Sequence, residues 1–152
     1  MKPPPSGLRH DGDMAIGERP PAGPRGAIGA AAEDAAAAHL AGLGWQVLAR
    51  NLRVGRDELD IVALEPGRRP IVVVVEVRSR SQSAFGSGTE SVDAAKVTRL
   101  YRAALALRRG GYDLVRPDLA GLLLWRVDLL SLERTPEGGW SVQQHLRGLA
   151  PP

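Results

Sequence analysis

The run Ile71-Val72-Val73-Val74-Val75 is apolar at every position, and Glu76 follows it directly. Branched aliphatic side chains suit a pleated strand. Successive strand side chains point to opposite faces, so a strand apolar on both faces must be covered from both sides. This run therefore predicts a central strand over 71–80 and an α/β architecture around it.

The flanking segments supply the layers. Ala27 to Leu43 is Ala-rich, with Ile28, Ala32, Ala36, Leu40 and Leu43 at helical spacing and Gly44 placed to cap the C-terminus. Trp45 to Arg53 alternates as a strand, and Asp57 to Leu64 is a second. Glu65 to Pro70 forms the turn before the central strand, and Ser81 to Thr89 is a polar loop after it. A long helix is expected from about Ser91 to Arg109, with Ser91 as its N-cap, Asp93 in its first turn and Gly110-Gly111 at its end. Leu122 to Leu132 and Trp140 to Leu146 read as two further strands around a Pro136–Gly139 turn. The order is α-β-β-β-α-β-β, a mixed sheet flanked by helices.

Composition sets the outer limits. The chain's 152 residues suit one domain, expected over residues 27–150. Residues 1–26 hold six prolines and five glycines with few bulky apolar side chains, the composition of a disordered tail. With no cysteine and only His10, His39 and His145, a disulfide scaffold, a thiolate zinc site and a cysteine nucleophile are excluded, and a zinc hydrolase is disfavoured. No apolar run approaches membrane-spanning length and the N-terminus lacks a signal-peptide pattern, so a cytoplasmic location is expected. The net charge is a modest +3, but of the 20 basic residues only Lys2 and Lys96 are Lys. Arg favours bidentate contact with phosphate. The same enrichment in Arg, Ala, Gly and Pro also follows from a GC-rich coding bias.

Parity within the strands singles out carboxylates. Glu58, Asp60, Val62 and Leu64 are expected on one face, and Val72, Val74, Glu76, Arg78 and Arg80 on one face of the next strand. A charge at the end of a buried strand costs several kcal/mol unless it is paired or metal-bound (about that order). The tight turn between these strands brings Asp60 beside Glu76, and a hard divalent cation, Mg²⁺ or Mn²⁺, relieves their repulsion. Glu33, at the edge of the first helix's buried face, is a third candidate ligand. Arg78 would hold a phosphate against that ion, which is the equipment of phosphodiester hydrolysis. The competing reading is a structural ion pair of Glu76 with Arg78 or Arg80.

On the long helix Val97, Leu100, Tyr101, Ala104 and Leu107 form the apolar stripe, with Arg99, Arg102 and Arg109 opposite and Lys96 at the boundary. Arg99, Arg102, Lys96 and Arg80 are candidate phosphate contacts, although a charged outer face is also what any amphipathic helix shows. The three Trp residues, His39 and His145 read as core or structural groups, and Arg126 with Asp128 as an internal ion pair.

Several of these residues fall into one pattern. Gly29-x-x-x-Glu33, Gly44-Trp45, Arg50-Asn51-Leu52-Arg53, Asp57-Glu58-Leu59-Asp60-Ile61-Val62, Val75-Glu76-Val77-Arg78-Ser79-Arg80, then Gly86 or Gly88, Val92, Lys96 and Arg126-Val127-Asp128 occur in this order. The pattern, over roughly 26–147, resembles the YraN-like uncharacterised bacterial family, which is similar to archaeal Holliday-junction resolvases and to restriction-endonuclease-like PD-(D/E)xK nucleases. The resemblance implies a restriction-endonuclease-like mixed sheet and a metal site at Asp60 and Glu76, with Glu33 as the helix carboxylate. It also implies a nucleic-acid partner, DNA first, and by analogy with the resolvases a homodimer. The third residue of the strand motif is normally Lys, and Arg78 stands there instead. Arg cannot act as a general base, so a non-catalytic nucleic-acid-binding module is the alternative, and a structural adaptor the third.

Overall fold

A computed structural model describes residues 24–80, 93–110 and 123–150. The elements run α1 (Pro24–Gly42), β1 (Gln46–Val54), β2 (Asp57–Glu65), β3 (Ile71–Arg80), α2 (Ala94–Arg109), β4 (Leu124–Arg134) and β5 (Trp140–Leu146). This is the order read from the sequence. The strands form one sheet in the order β1-β2-β3-β4-β5, antiparallel except for the parallel β3–β4 pair. A parallel pair requires a crossover, and α2 lies in it.

β3 is central and fully covered. Val72 and Val74 face a core completed by Leu100, Ala103, Ala104 and Leu107 of α2. Val73 and Val75 face the opposite core, against Ala36 and Leu40 of α1. The small Ala32 and Ala36 are buried, so α1 can lie close to the sheet. Helix α1 ends as expected at Gly44, whose φ is 87°. Gly44 N–H donates to the Ala41 carbonyl and Trp45 N–H to that of Leu40, the paired bonds of a Schellman cap. No helix among the described residues is long and apolar enough to cross a membrane.

Three expectations shift. Helix α1 starts at Pro24, inside the segment assigned to the tail, because Pro is well tolerated in a first helical turn. Residues 1–23, the loop Ser81–Thr89 and Ser91 lie outside the described residues. The α2 N-cap is Asp93, whose carboxylate accepts the Ala95 N–H at 3.0 Å. The largest change concerns β2. Leu59 and Val62 both enter the α2-side core while Ile61 enters the α1-side core, so strict alternation from Glu58 to Leu64 fails. The cause lies across the hairpin. Asn51, between the pairs Arg50↔Ile61 and Leu52↔Leu59, has φ 50°, and that left-handed residue swivels the end of the hairpin.

Candidate functional site

The β2–β3 ladder stops at Ile61↔Val75. Just beyond it Val77 N–H donates to Asp60 Oδ2 at 2.8 Å, so a carboxylate caps the point where the strands part. Glu76 stands beside it, only 8% exposed. Glu76 Oε1 pairs with Lys96 Nζ of α2 at 3.1 Å, whereas the buried Oε2 meets no cation or N–H donor, and the Glu76 carboxyl shares a hydrogen bond with that of Asp60. The cation beside Glu76 is thus Lys96. Arg78 has no ion-pair partner among the described residues, and Arg80 closes β3 beside Glu133.

Burial and then the charge of Glu76 push the Asp60 carboxyl up to about 8, against the Val77 N–H, which favours the anion. Glu33 adds a smaller repulsion. The Glu33 carboxyl is itself raised, first by burial, while a side-chain hydrogen bond from Asn51 and the Arg50 charge oppose the rise. Arg50 Nη2 also pairs with Asp34 at 2.6 Å.

Asp60 and Glu76 therefore meet as expected, and Glu33 lies within electrostatic range of Asp60 from the other helix. The third-ligand role expected of Glu33 is not assembled: among the described residues no three His, Cys, Asp or Glu side chains are gathered to hold a metal ion. A two-carboxylate set still fits Mg²⁺ or Mn²⁺. Such ions are commonly held by one or two carboxylates, with water and substrate phosphate completing the shell. The orphaned Glu76 Oε2 and the crowded Asp60 are both groups that a cation would satisfy.

The nucleic-acid candidates separate. Arg102 is already occupied, gripping Asp57 through Nε at 3.2 Å and Nη2 at 2.9 and 3.0 Å, beside an open cleft of Val54, Gly55, Arg56 and Ala103. Lys96 is turned to Glu76. Arg99 and Arg109 are exposed on the outer face of α2.

A second polar cluster is structural. Asp128, fully buried, accepts bonds from Arg126 Nε at 2.7 Å and Nη2 at 2.9 Å, from Gly148 N–H at 2.9 Å, and meets His145 Nε2 at 2.9 Å. Burial alone would raise its pKa, but the bonds from Arg126, Gly148 and His145 outweigh it and hold the carboxyl below its usual range. The Arg126–Asp128 pair and the structural reading of His145 stand as expected. Trp45 is buried, with the guanidiniums of Arg126 and Arg147 at 5.7 and 5.5 Å from its ring centroid. Sequence reasoning missed Asn51 and the Lys96–Glu76 pair. The signal for Asn51 was a polar pair, Arg50-Asn51, inside an otherwise alternating strand.

The model of the uncharacterised protein family UPF0102 matches residues 32–132. The chain belongs to the UPF0102 family. A UPF0102 protein of Sorangium cellulosum is 40% identical over 124 residues, covering 82% of this chain and 81% of its own. Another from Mycobacterium sp. (strain KMS) is 42% identical over 129 residues, covering 83% and 87%. The matched UPF0102 region contains Glu33, Asp60, Glu76, Arg78 and Lys96. Among solved structures, SfsA of Pyrococcus furiosus in complex with Ca²⁺ aligns with a TM-score of 0.33 and 17% identity. That alignment covers 78% of this chain and 60% of SfsA.

Proposed function

We propose that this UPF0102 protein hydrolyses phosphodiester bonds in nucleic acid, DNA foremost and branched or damaged DNA in particular, with Mg²⁺ or Mn²⁺ held by Asp60 and Glu76. The observation that carries the reading is the buried Glu76 Oε2, which meets no cation or N–H donor, beside a carboxyl that burial and its neighbour keep from ionising, two acids left to share a proton. When bound, the ion supplies Lewis-acid polarisation of the phosphate and lowers the pKa of a water. The protein's own groups do the rest. Val77 N–H aims Asp60, and Lys96 fixes Glu76 from α2. Arg78 follows Glu76 by two residues in β3 and meets the scissile phosphate through its planar fork, neutralising charge without accepting a proton. Glu33 of α1 repels the Asp60 charge and adds negative potential that favours a cation.

Arg78 in the place of the strand motif's usual Lys favours one second reading, a nucleic-acid-binding module that no longer cleaves. Incubating branched and linear DNA with Mg²⁺ or Mn²⁺ separates the two. Metal-dependent cleavage that disappears in Glu76→Ala supports the nuclease. Binding that weakens with salt, without cleavage, selects the binding module. Absence of both at low salt leaves a structural adaptor. By analogy with the resolvases the active species is a homodimer, which sedimentation with and without DNA tests.

A further inference from the structure

We propose that Asn51 is a positioning residue for the acidic site, bridging the strand that carries Asp60 and the helix that carries Glu33; this rests on the metal-site reading above. Three observations converge on it. Among the described residues Asn51 alone, other than glycine, has a positive φ, 50°. It occupies the place opposite Asp60 in the hairpin, between Arg50↔Ile61 and Leu52↔Leu59. Its side chain also makes a hydrogen bond to Glu33 of α1.

Each observation carries a chemical demand. A left-handed residue is tolerated best as Gly, then as Asn or Asp. Glycine would meet the backbone demand alone, and Asp would place another negative charge beside Glu33 and Asp60. Asn meets the backbone demand and supplies a neutral N–H donor aimed at a carboxylate that burial otherwise disfavours as an anion. The swivel at Asn51 also parts Leu59 from Ile61, sending them into opposite cores with Asp60 between them. One residue thus sets the direction of one carboxylate through the backbone and holds another through its amide.

A second polar contact also joins α1 to β1. Arg50, the preceding residue, pairs with Asp34, next to Glu33, and provides a separate lock. Asp34→Asn therefore serves as the control for helix docking, since Asp34 is exposed and its charge is the smallest of the influences on Glu33.

The test uses the full chain and Mn²⁺ as probe. Asn51→Gly keeps the left-handed backbone and removes the amide. It is expected to melt close to the native protein yet bind Mn²⁺ about tenfold or more weakly, the usual cost of losing a group that orients a carboxylate at a metal site. Asp34→Asn should leave Mn²⁺ affinity unchanged. The double variant Asn51→Gly, Glu33→Gln should bind no more weakly than the weaker single variant, because the two residues act through one bond. Additive losses, or native affinity in Asn51→Gly, overturn the proposal. Should the native protein bind no Mn²⁺, the metal-site reading itself fails, and the positioning role for that site falls with it. The Asn51 side-chain amide resonances in Glu33→Gln then report on the bond separately: a shift supports the contact with Glu33, and unmoved resonances overturn that too.

Discussion

Replacing Asp60 by Asn should make the domain more stable, and increasingly so as the pH rises from 5 to 7. Asn keeps a carbonyl to accept the Val77 N–H but carries no proton to lose. In the native fold the Asp60 carboxyl is pushed up to about 8 from 3.8. The folded state thus retains a proton that the unfolded chain releases. The stability linked to this group is fully present below about pH 4 and is lost as the pH rises through 8. One proton gives a slope of at most ~1.4 kcal/mol per pH unit, so the variant's advantage should grow by about 2.7 kcal/mol between pH 5 and 7 and level off above 8. For a chain of this size that is roughly 5 to 11 °C in Tm. Thermal melts of both proteins in metal-free buffer from pH 5 to 9 read the difference directly. Adding Mg²⁺ or Mn²⁺ should raise the native Tm more at pH 8 than at pH 6, because cation and proton compete, and should leave Asp60→Asn unmoved. Parallel stability curves for the two proteins between pH 5 and 7 would refute the reasoning.

Three further outcomes are expected. Lys96→Met leaves the buried Glu76 without its cation and should cost about 1–2 kcal/mol by urea unfolding, the partial exposure of Lys96 reducing the full cost of breaking a buried pair; adding Glu76→Gln should recover most of it. Asp128→Ala strands the donors of Arg126 and Gly148 and should cost about 3–5 kcal/mol. Because the Asp128 carboxyl lies below its usual range, its contribution is present above the ordinary carboxylate pKa and lost on acidification through the folded value, which acid melts will show. Arg102→Ala should cost less than about 1 kcal/mol because the side chain is largely exposed; in DNA binding, Arg99→Ala should lower the salt slope by about 1, and Arg102→Ala by less, its charge being matched by Asp57.

Much of this molecule is legible in its sequence because the strongest signals are local. The apolar run of β3, the alanine stripe of α1 and the turn at Pro66–Pro70 each depend on a few neighbouring residues, and a short hairpin suffices to bring Asp60 to Glu76. The remainder depends on tertiary structure. A left-handed Asn51 is chosen by what the hairpin and α1 demand together, so the break in the parity of β2 between Leu59 and Ile61 could not be read from β2 itself. Lys96 and Arg102 resemble ordinary outer-face cations until the crossover sets α2 on the sheet and supplies Glu76 and Asp57 as partners.

The crossover that makes β3 and β4 parallel also fixes a chronology. Glu33, Asp60 and Glu76 all leave the ribosome before Lys96, since every one of them precedes α2 in the chain. A nascent polypeptide that has just completed its third strand therefore carries three acidic groups destined for one neighbourhood, without the Lys96 that pairs with Glu76. Docking of the second helix then brings Glu76 its Lys96 partner in the same step that buries the apolar face of α2.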